Sequence, residues 1–286
     1  MIRSLIIGLL LTLCIGVQAS AKTLVFSAIP DQDESRLNAR FGKIAHYLST
    51  QLDIEVKYIP VKNYAAAVAA FRNNQIQLAW FGGLSGVRAR RLVPNSEAIA
   101  QGYEDQFFKT YIIAHHSTGL VKGDAFPSTM TGMTFTFGSK SSTSGRLIPE
   151  YYIRQYMGKA PQAVFKRVGF SGDHNRTIAL VQSGVYQVGA VNFKVWENAL
   201  KSKLIDTRKV KVIWETPTFP DYQWTIRGDV DQYWGKNFKQ KVQQALLKMQ
   251  DPDLLASFPR TSFIKADNSL YKPIATTAVA IGLLDQ

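Results

Sequence analysis

The stretch of this sequence best suited to chemistry is Gly138-Ser139-Lys140-Ser141-Ser142-Thr143-Ser144-Gly145. It follows a β-rich run at 133–137 (MTFTF) and precedes a helical pattern at 147–156. It therefore reads as a loop that feeds a helix N-terminus. The first N–H groups of a helix have no acceptor within the helix, and the helix dipole adds partial positive charge there. Such ends take anions without a full countercharge. The hydroxyls of Ser142, Thr143 and Ser144 add donors around a tetrahedral oxyanion. Gly138 and Gly145 permit close backbone approach. A helix cap needs only one hydroxyl, so a run of four flanked by glycines points to anion recognition.

The elements that must position this loop alternate between two periods. Residues 23–29 (TLVFSAI) read as a strand, and residues 33–52 as a helix with Leu37, Phe41, Ile44 and Leu48 on one face. A strand at 54–59, a helix at 64–73 and a strand at 76–81 follow. Strand–helix–strand order implies parallel pairing with helices on the faces. After a strand at 111–114 the rhythm restarts. Strands are expected at 133–137, 163–167, 188–191 and 209–214, with helices at 147–156, 175–183 and 194–202. Helical stretches at 238–249 and 274–283 end the chain. The expected fold is α/β, with two lobes joined by two hinge crossings and a cleft between them. Lobe 1 takes residues 22–115 and 218–286, and lobe 2 takes 116–217. In open α/β sheets ligands bind at the carboxyl ends of strands, where the Ser/Thr loop lies.

Met1 to Ala21 reads as a cleaved export signal. Arg3 precedes an apolar run, and Ala19-Ser20-Ala21 supplies small residues for cleavage. The apolar run is shorter than the ~20 residues that span a bilayer. Cys14 follows Thr12-Leu13, a poor context for lipidation, and a chain cut after Ala21 has no cysteine for disulfides or thiol chemistry. The formal charge of +13 favours an anionic partner. Export and the scatter of the Lys and Arg residues argue against nucleic acid.

The segment at 137–152 (FGSKSSTSGRLIPEYY) resembles the ligand loop of periplasmic phosphonate, phosphite and phosphate-ester binding proteins of ABC transporters. The likeness extends through 27–37 (SAIPDQDESRL), 61–85 (VKNYAAAVAAFRNNQIQLAWFGGLS) and 169–184 (GFSGDHNRTIALVQSG). Residues 216–231 (TPTFPDYQWTIRGDVD) and 262–284 look like the branch labelled selenate-binding. The resemblance implies a periplasmic, monomeric solute-binding protein for a small oxyanion, served by an ABC permease and ATPase. It implies no cofactor, no metal and no enzyme activity.

The resemblance also implies ligand contacts from Ser142, Thr143 and Ser144, from His174 and Tyr64, and from Asp221. Tyr64 and His174 can donate hydrogen bonds, although Tyr64 also suits a core and His174 a helix start. Asp221 can only accept while ionised, which suits a ligand that carries a proton, or a hinge role. Where aminophosphonate-binding members hold the ligand's amine with a carboxylate, gapless comparison through VGAVNFK places Lys194. A lysine there favours a compact inorganic oxyanion. Asn192 and Glu197 compete for the same space. The amides of Gly82 to Ser85 could complete the cage, with Trp80 and Trp224 as walls or as core.

Two other classes are weighed against this reading. A phosphate-ester hydrolase would use Ser142 or Thr143 as nucleophile and His174 as base, but the sequence shows no nucleophile elbow or complete triad. His115-His116 lacks a further ligand at metal spacing. A sensor module for a membrane kinase would use the same fold and the same site.

Overall fold

A computed structural model describes residues 22–258 and 260–285. The expected signal segment and Cys14 lie outside the described residues. Eleven strands occur among the described residues. In chain order they are β1 (Leu24–Ala28), β2 (Val56–Tyr58), β3 (Leu78–Phe81), β4 (Glu97–Gly102), β5 (Thr110–His115), β6 (Thr134–Phe137), β7 (Arg167–Phe170), β8 (Val188–Asn192), β9 (Val210–Glu215), β10 (Gln223–Ile226) and β11 (Phe263–Lys265). They form two sheets, ordered β11-β4-β10-β3-β1-β2 and β7-β6-β8-β5-β9. The expected two-lobed α/β fold is observed.

In the first sheet β1 pairs in parallel with both β2 and β3. β10 returns antiparallel between β3 and β4. The helix Glu34–Leu52 covers this sheet with Leu37, Phe41, Ile44 and Leu48, the face that its periodicity marks. An aromatic cluster fills the space beneath. Trp80 and Trp224 lie 5.4 Å apart, and Phe41 and Phe258 meet edge to face at 5.4 Å. Trp224 and Trp80 are thus both core, and Trp80 also stacks on the buried Tyr222.

In the second sheet β6 pairs in parallel with β7 and β8, and β5 runs antiparallel between β8 and β9. β5 therefore belongs to the second sheet, whereas the sequence reading closes the first unit with it. The strand expected at 163–167 is also displaced. Pro161 fixes the first turn of a short helix, Pro161–Val164, and the strand begins only at Arg167.

The two crossings between sheets are paired with one another. Phe108 and Phe219 exchange both backbone hydrogen bonds at 3.0 Å. One step on, the Thr110 amide donates to Thr216 Oγ1, and the Thr216 amide donates to the Thr110 carbonyl, each at 3.0 Å. The crossings thus form a two-stranded ribbon whose backbone groups are satisfied.

Candidate functional site

The Ser/Thr loop leads from β6 into a wide π turn, Thr143–Leu147, that continues as the helix Ile148–Met157. The Leu147 amide donates to the Ser142 carbonyl at 3.0 Å, which sets the wide turn. Ser142 is the cap, and its Oγ accepts from the Gly145 amide at 2.9 Å. Of the three hydroxyls, then, one caps the loop's own turn. π turns inside helices occur often at functional sites. The turn is packed from behind: Thr110 Oγ1 donates to the Ser144 carbonyl at 2.7 Å, and a β-carbon on Gly145 would lie 3.0 Å from His174 Cε1. Close packing of the ring, more than torsional freedom, is what requires glycine at position 145.

Thr143 reaches across the cleft. Its Oγ1 accepts the Leu84 amide hydrogen at 3.0 Å. The neighbouring Gly83 amide donates to Asp221 Oδ1 at 2.8 Å. Both amides belong to the first turn of the helix Gly83–Leu92, which starts two residues beyond the end of β3. Burial pushes the Asp221 carboxyl up to about 7. Hydrogen bonds from the Gly83 amide and the Thr143 hydroxyl partly oppose that shift. Ser144 Oγ is near enough to act on this carboxyl, yet it makes no hydrogen bond of normal geometry.

His174 begins the helix His174–Gln182, but Asp173 is the cap, accepting from the Arg176 amide at 2.8 Å. His174 is thereby free for another role. Its ring is fully buried, and Nδ1 accepts from the Asn192 amide at 3.3 Å. That bond assigns the ring proton to Nε2. Burial lowers its pKa to about 4, against the pull of Asp31, so the ring is neutral near pH 7. Nε2–H has no partner.

Tyr64 opens the helix Tyr64–Arg72, which Asn63 caps, and is 2% exposed. Its hydroxyl is near enough to Ser142 to interact with it, yet makes no hydrogen bond of normal geometry. Burial, then the charges of Asp31 and Asp221, raise its pKa well above the usual tyrosine value, so it stays a neutral donor.

Asp31 is a ligand candidate that sequence reading passes over. It lies just beyond β1, is 4% exposed, and accepts from the Tyr222 hydroxyl through Oδ2 at 2.8 Å. The same hydroxyl accepts from Asn192 Nδ2 at 3.0 Å. Asp31 Oδ1 has no partner. A signal for it was present in the position of Pro30-Asp31 at a strand's carboxyl end, where ligands of α/β sheets collect.

The residues expected to hold the ligand thus fall into two groups. Tyr64, Ser142, Thr143, Ser144, His174 and Asp221 are buried; Tyr64 interacts with Ser142 and Asp221, Asp221 with Thr143 and Ser144, and the His174 ring packs beside Gly145. Lys194 is not brought to them. Its Nζ lies 3.7 Å from Glu197 Oε2 and over the Phe193 ring. The physical reason is the helix start: Asn192 caps Phe193–Lys201 with its Oδ1, and that turn directs residue 194 away while Asn192 faces Tyr222. Arg146, next to the loop, is likewise paired with Glu150. The arrangement offers neutral donors and carboxylate acceptors. His174 Nε2 makes no hydrogen bond to a hydroxyl among the described residues. At the cleft mouth a cavity of about 590 Å³ opens between the sheets, lined by Lys62, Asn63, Lys140, Ser141, Asp173 and Arg176 among others.

Comparison with known proteins gives a consistent picture. A family model described as the phosphonate periplasmic substrate-binding protein of ABC transporters matches residues 26–271. A probable ABC transporter phosphite binding protein of Prochlorococcus marinus (strain MIT 9301), PhnD1, is 41% identical over 268 residues, covering 90% of this chain and 89% of that protein. The solved structure of PhnD1 from that organism in complex with methylphosphonate superposes with a TM-score of 0.88 at 40% identity, covering 92% of this chain and 99% of the other. The phosphonates-binding periplasmic protein of Escherichia coli (strain K12) is 24% identical over 202 residues, 70% of this chain and 59% of its own length.

Proposed function

The chain belongs to the family of periplasmic phosphonate substrate-binding proteins of ABC transporters, and from that premise we propose that it captures a small phosphonate or phosphite. One copy closes on one oxyanion and presents it to a permease and ATPase at the inner membrane. The observation that carries this reading is the set of unpartnered donors, Tyr64 hydroxyl, Ser144 Oγ and His174 Nε2, buried beside the N-terminal turn of the helix that follows the loop. A buried donor without an acceptor costs about 1–3 kcal/mol, and a bound oxyanion removes that cost three times over.

The lobes are taken as residues 22–108 with 219–285, and 110–216, so that the ribbon at Phe108 and Phe219 is the hinge. Export to the periplasm, by the segment at 1–21, follows from the same reading. Tyr64, Ser142, Thr143, Ser144, His174 and Asp221 form the ligand cage, with the amides of Gly83 and Leu84 closing it from the other side.

The ligand class follows from charge. None of the three unpartnered donors is a cation, and Asp221 is an acceptor beside them. While Asp221 is ionised, a fully ionised oxyanion would face it with no compensating cation among the cage residues. A phosphonate or phosphite that keeps one acid proton would not. The likeness to the selenate-labelled branch rests on residues 216–231 and 262–284, which supply the hinge return, β10, β11 and the C-terminal helix more than the donors. Selenate is therefore a competitor to be tested.

Calorimetric titration of the purified protein with methylphosphonate, phosphite, aminoethylphosphonate, phosphate, sulfate and selenate tests the reading. Saturable one-to-one binding that is tightest for methylphosphonate or phosphite is expected. Tightest binding of sulfate or selenate would overturn the ligand class, and silence from all six would overturn the oxyanion reading itself.

A further inference from the structure

We propose that Asp31 is the acceptor that reads the ligand's acid proton, so that the site selects a protonated monoanion over a fully ionised tetrahedral oxyanion. The inference deepens the phosphonate or phosphite reading and rests on it.

Two carboxylates face the buried donors, and they are not equivalent. Asp221 already serves the protein, taking the Gly83 amide and facing the Thr143 hydroxyl. Asp31 uses only one oxygen. Oδ2 takes the Tyr222 hydroxyl, while Oδ1 is buried without a donor. A buried acceptor left this way is as costly as a buried donor left this way. The donors beside it cannot supply the proton directly, since Tyr64 and His174 form no hydrogen bond with it. What completes a cage of unpartnered donors and one unpartnered carboxylate oxygen is an oxyanion with its own O–H.

Asp31 is held rigidly enough to discriminate. Its backbone carbonyl accepts from the His174 amide at 3.1 Å across the cleft, and Tyr222 ties its side chain to Asn192 of the opposite sheet. The groups around its carboxylate are Arg40, Tyr58, Tyr64, Asp173, His174 and Tyr222. Of these only Arg40 is a fixed cation. It is buried over the Phe41 and Phe258 rings and, among the described residues, forms no salt bridge within 4 Å. Its charge acts on Asp31 without a salt bridge to it, and so supports an ionised acceptor there.

The test is calorimetry on the wild-type protein and on Asp31→Asn, with methylphosphonate and selenate as probes, in buffers of differing ionisation enthalpy. The amide keeps the size of the side chain and one acceptor for Tyr222, but turns a donor toward the ligand. Asp31→Asn should weaken methylphosphonate by about tenfold or more and narrow its advantage over selenate, the loss of one hydrogen bond to a charged group. In the wild type, binding measured where free methylphosphonate is a dianion should take up close to one proton, and Asp31→Asn should abolish that uptake. An unchanged preference within about twofold, where ratios equal to within experimental scatter carry under half a kcal/mol, would overturn the assignment. So would uptake that persists in Asp31→Asn and vanishes in Asp221→Asn. If Asp31→Asn fails to melt cooperatively, the wild-type proton count decides alone, and no uptake overturns the proposal. Failure is separable from that of the broader reading: a wild-type protein that binds no tetrahedral anion refutes both, whereas one that binds methylphosphonate without proton linkage refutes only the role of Asp31.

Discussion

Thr143 Oγ1 accepts the Leu84 amide hydrogen at 3.0 Å, joining the anion loop of the second sheet to the first helix turn after β3 in the first. Next to it, the Gly83 amide holds Asp221 at 2.8 Å. Two consecutive amides of one helix start thus grip one residue from across the cleft and one from the hinge return. Arg88 on the same helix adds a third tie, donating to Ser141 Oγ at 2.6 Å. The contacts that close the lobes and the groups proposed to hold the ligand are largely the same atoms. A ligand that prefers this arrangement shifts the population toward it by its differential affinity.

Replacing Thr143 by alanine removes the cross-cleft acceptor and leaves the Leu84 amide buried without a partner. Affinity for the preferred anion should fall by about 1–3 kcal/mol, roughly 5- to 150-fold. Thr143→Ser should recover most of it, because the hydroxyl is restored. Calorimetric titration of both variants is the check, and unchanged affinity in Thr143→Ala would remove this residue from the site.

The buried His174 ring links stability to pH. Its pKa is near 4 in the fold and 6.5 in the unfolded chain, so the unfolded chain binds the proton first as pH falls. The stability it confers is fully present above about 6.5 and is lost as pH drops toward 4. A shift of that size is worth roughly 3 kcal/mol at most. His174→Gln keeps a donor but does not titrate. Its melting temperature should fall less steeply than that of the wild type between neutral and mildly acidic pH.

Asp221 has the opposite sign. Its pKa rises from 3.8 to about 7, so the fold prefers the protonated form and loses stability as pH climbs through that interval. Asp221→Asn keeps an acceptor for the Gly83 amide and removes the charge. Without added anion this variant should melt higher than the wild type at and above neutral pH. Added methylphosphonate should stabilise it less. Thermal melts with and without the anion separate the two effects.

Lys194→Ala should change anion affinity by less than about twofold, since its ammonium forms a part-exposed pair with Glu197 that carries at most about 1 kcal/mol. A large loss of affinity would return Lys194 to the cage.

Much of this was readable from sequence where local patterns decide structure. The helix face of Leu37, Phe41, Ile44 and Leu48 was legible because the 3.6-residue period is a local property. The anion loop was legible because its hydroxyls and glycines are consecutive. Asp31 was not, because its place depends on Tyr222, 191 residues away, and on His174 across the cleft. Gapless comparison does not see the cap: one turn of helix started by Asn192 turns the Asn192 side chain toward Tyr222, while Lys194 pairs with Glu197. The helix Gly83–Leu92 is weakly marked in the sequence because Gly83 and Gly86 interrupt its pattern. The structure explains Gly86, where a β-carbon would run into the Gln223 side chain.

A crystal structure of the protein with methylphosphonate is the most direct measurement. The anion should lie at the Thr143–Leu147 turn, within hydrogen-bond distance of the Tyr64 hydroxyl, Ser144 Oγ and His174 Nε2, with one phosphonate oxygen on Asp31 Oδ1. An anion bound only in the outer cavity beside Lys62, Lys140 and Arg176, with those four atoms still unpartnered, would contradict the proposed site.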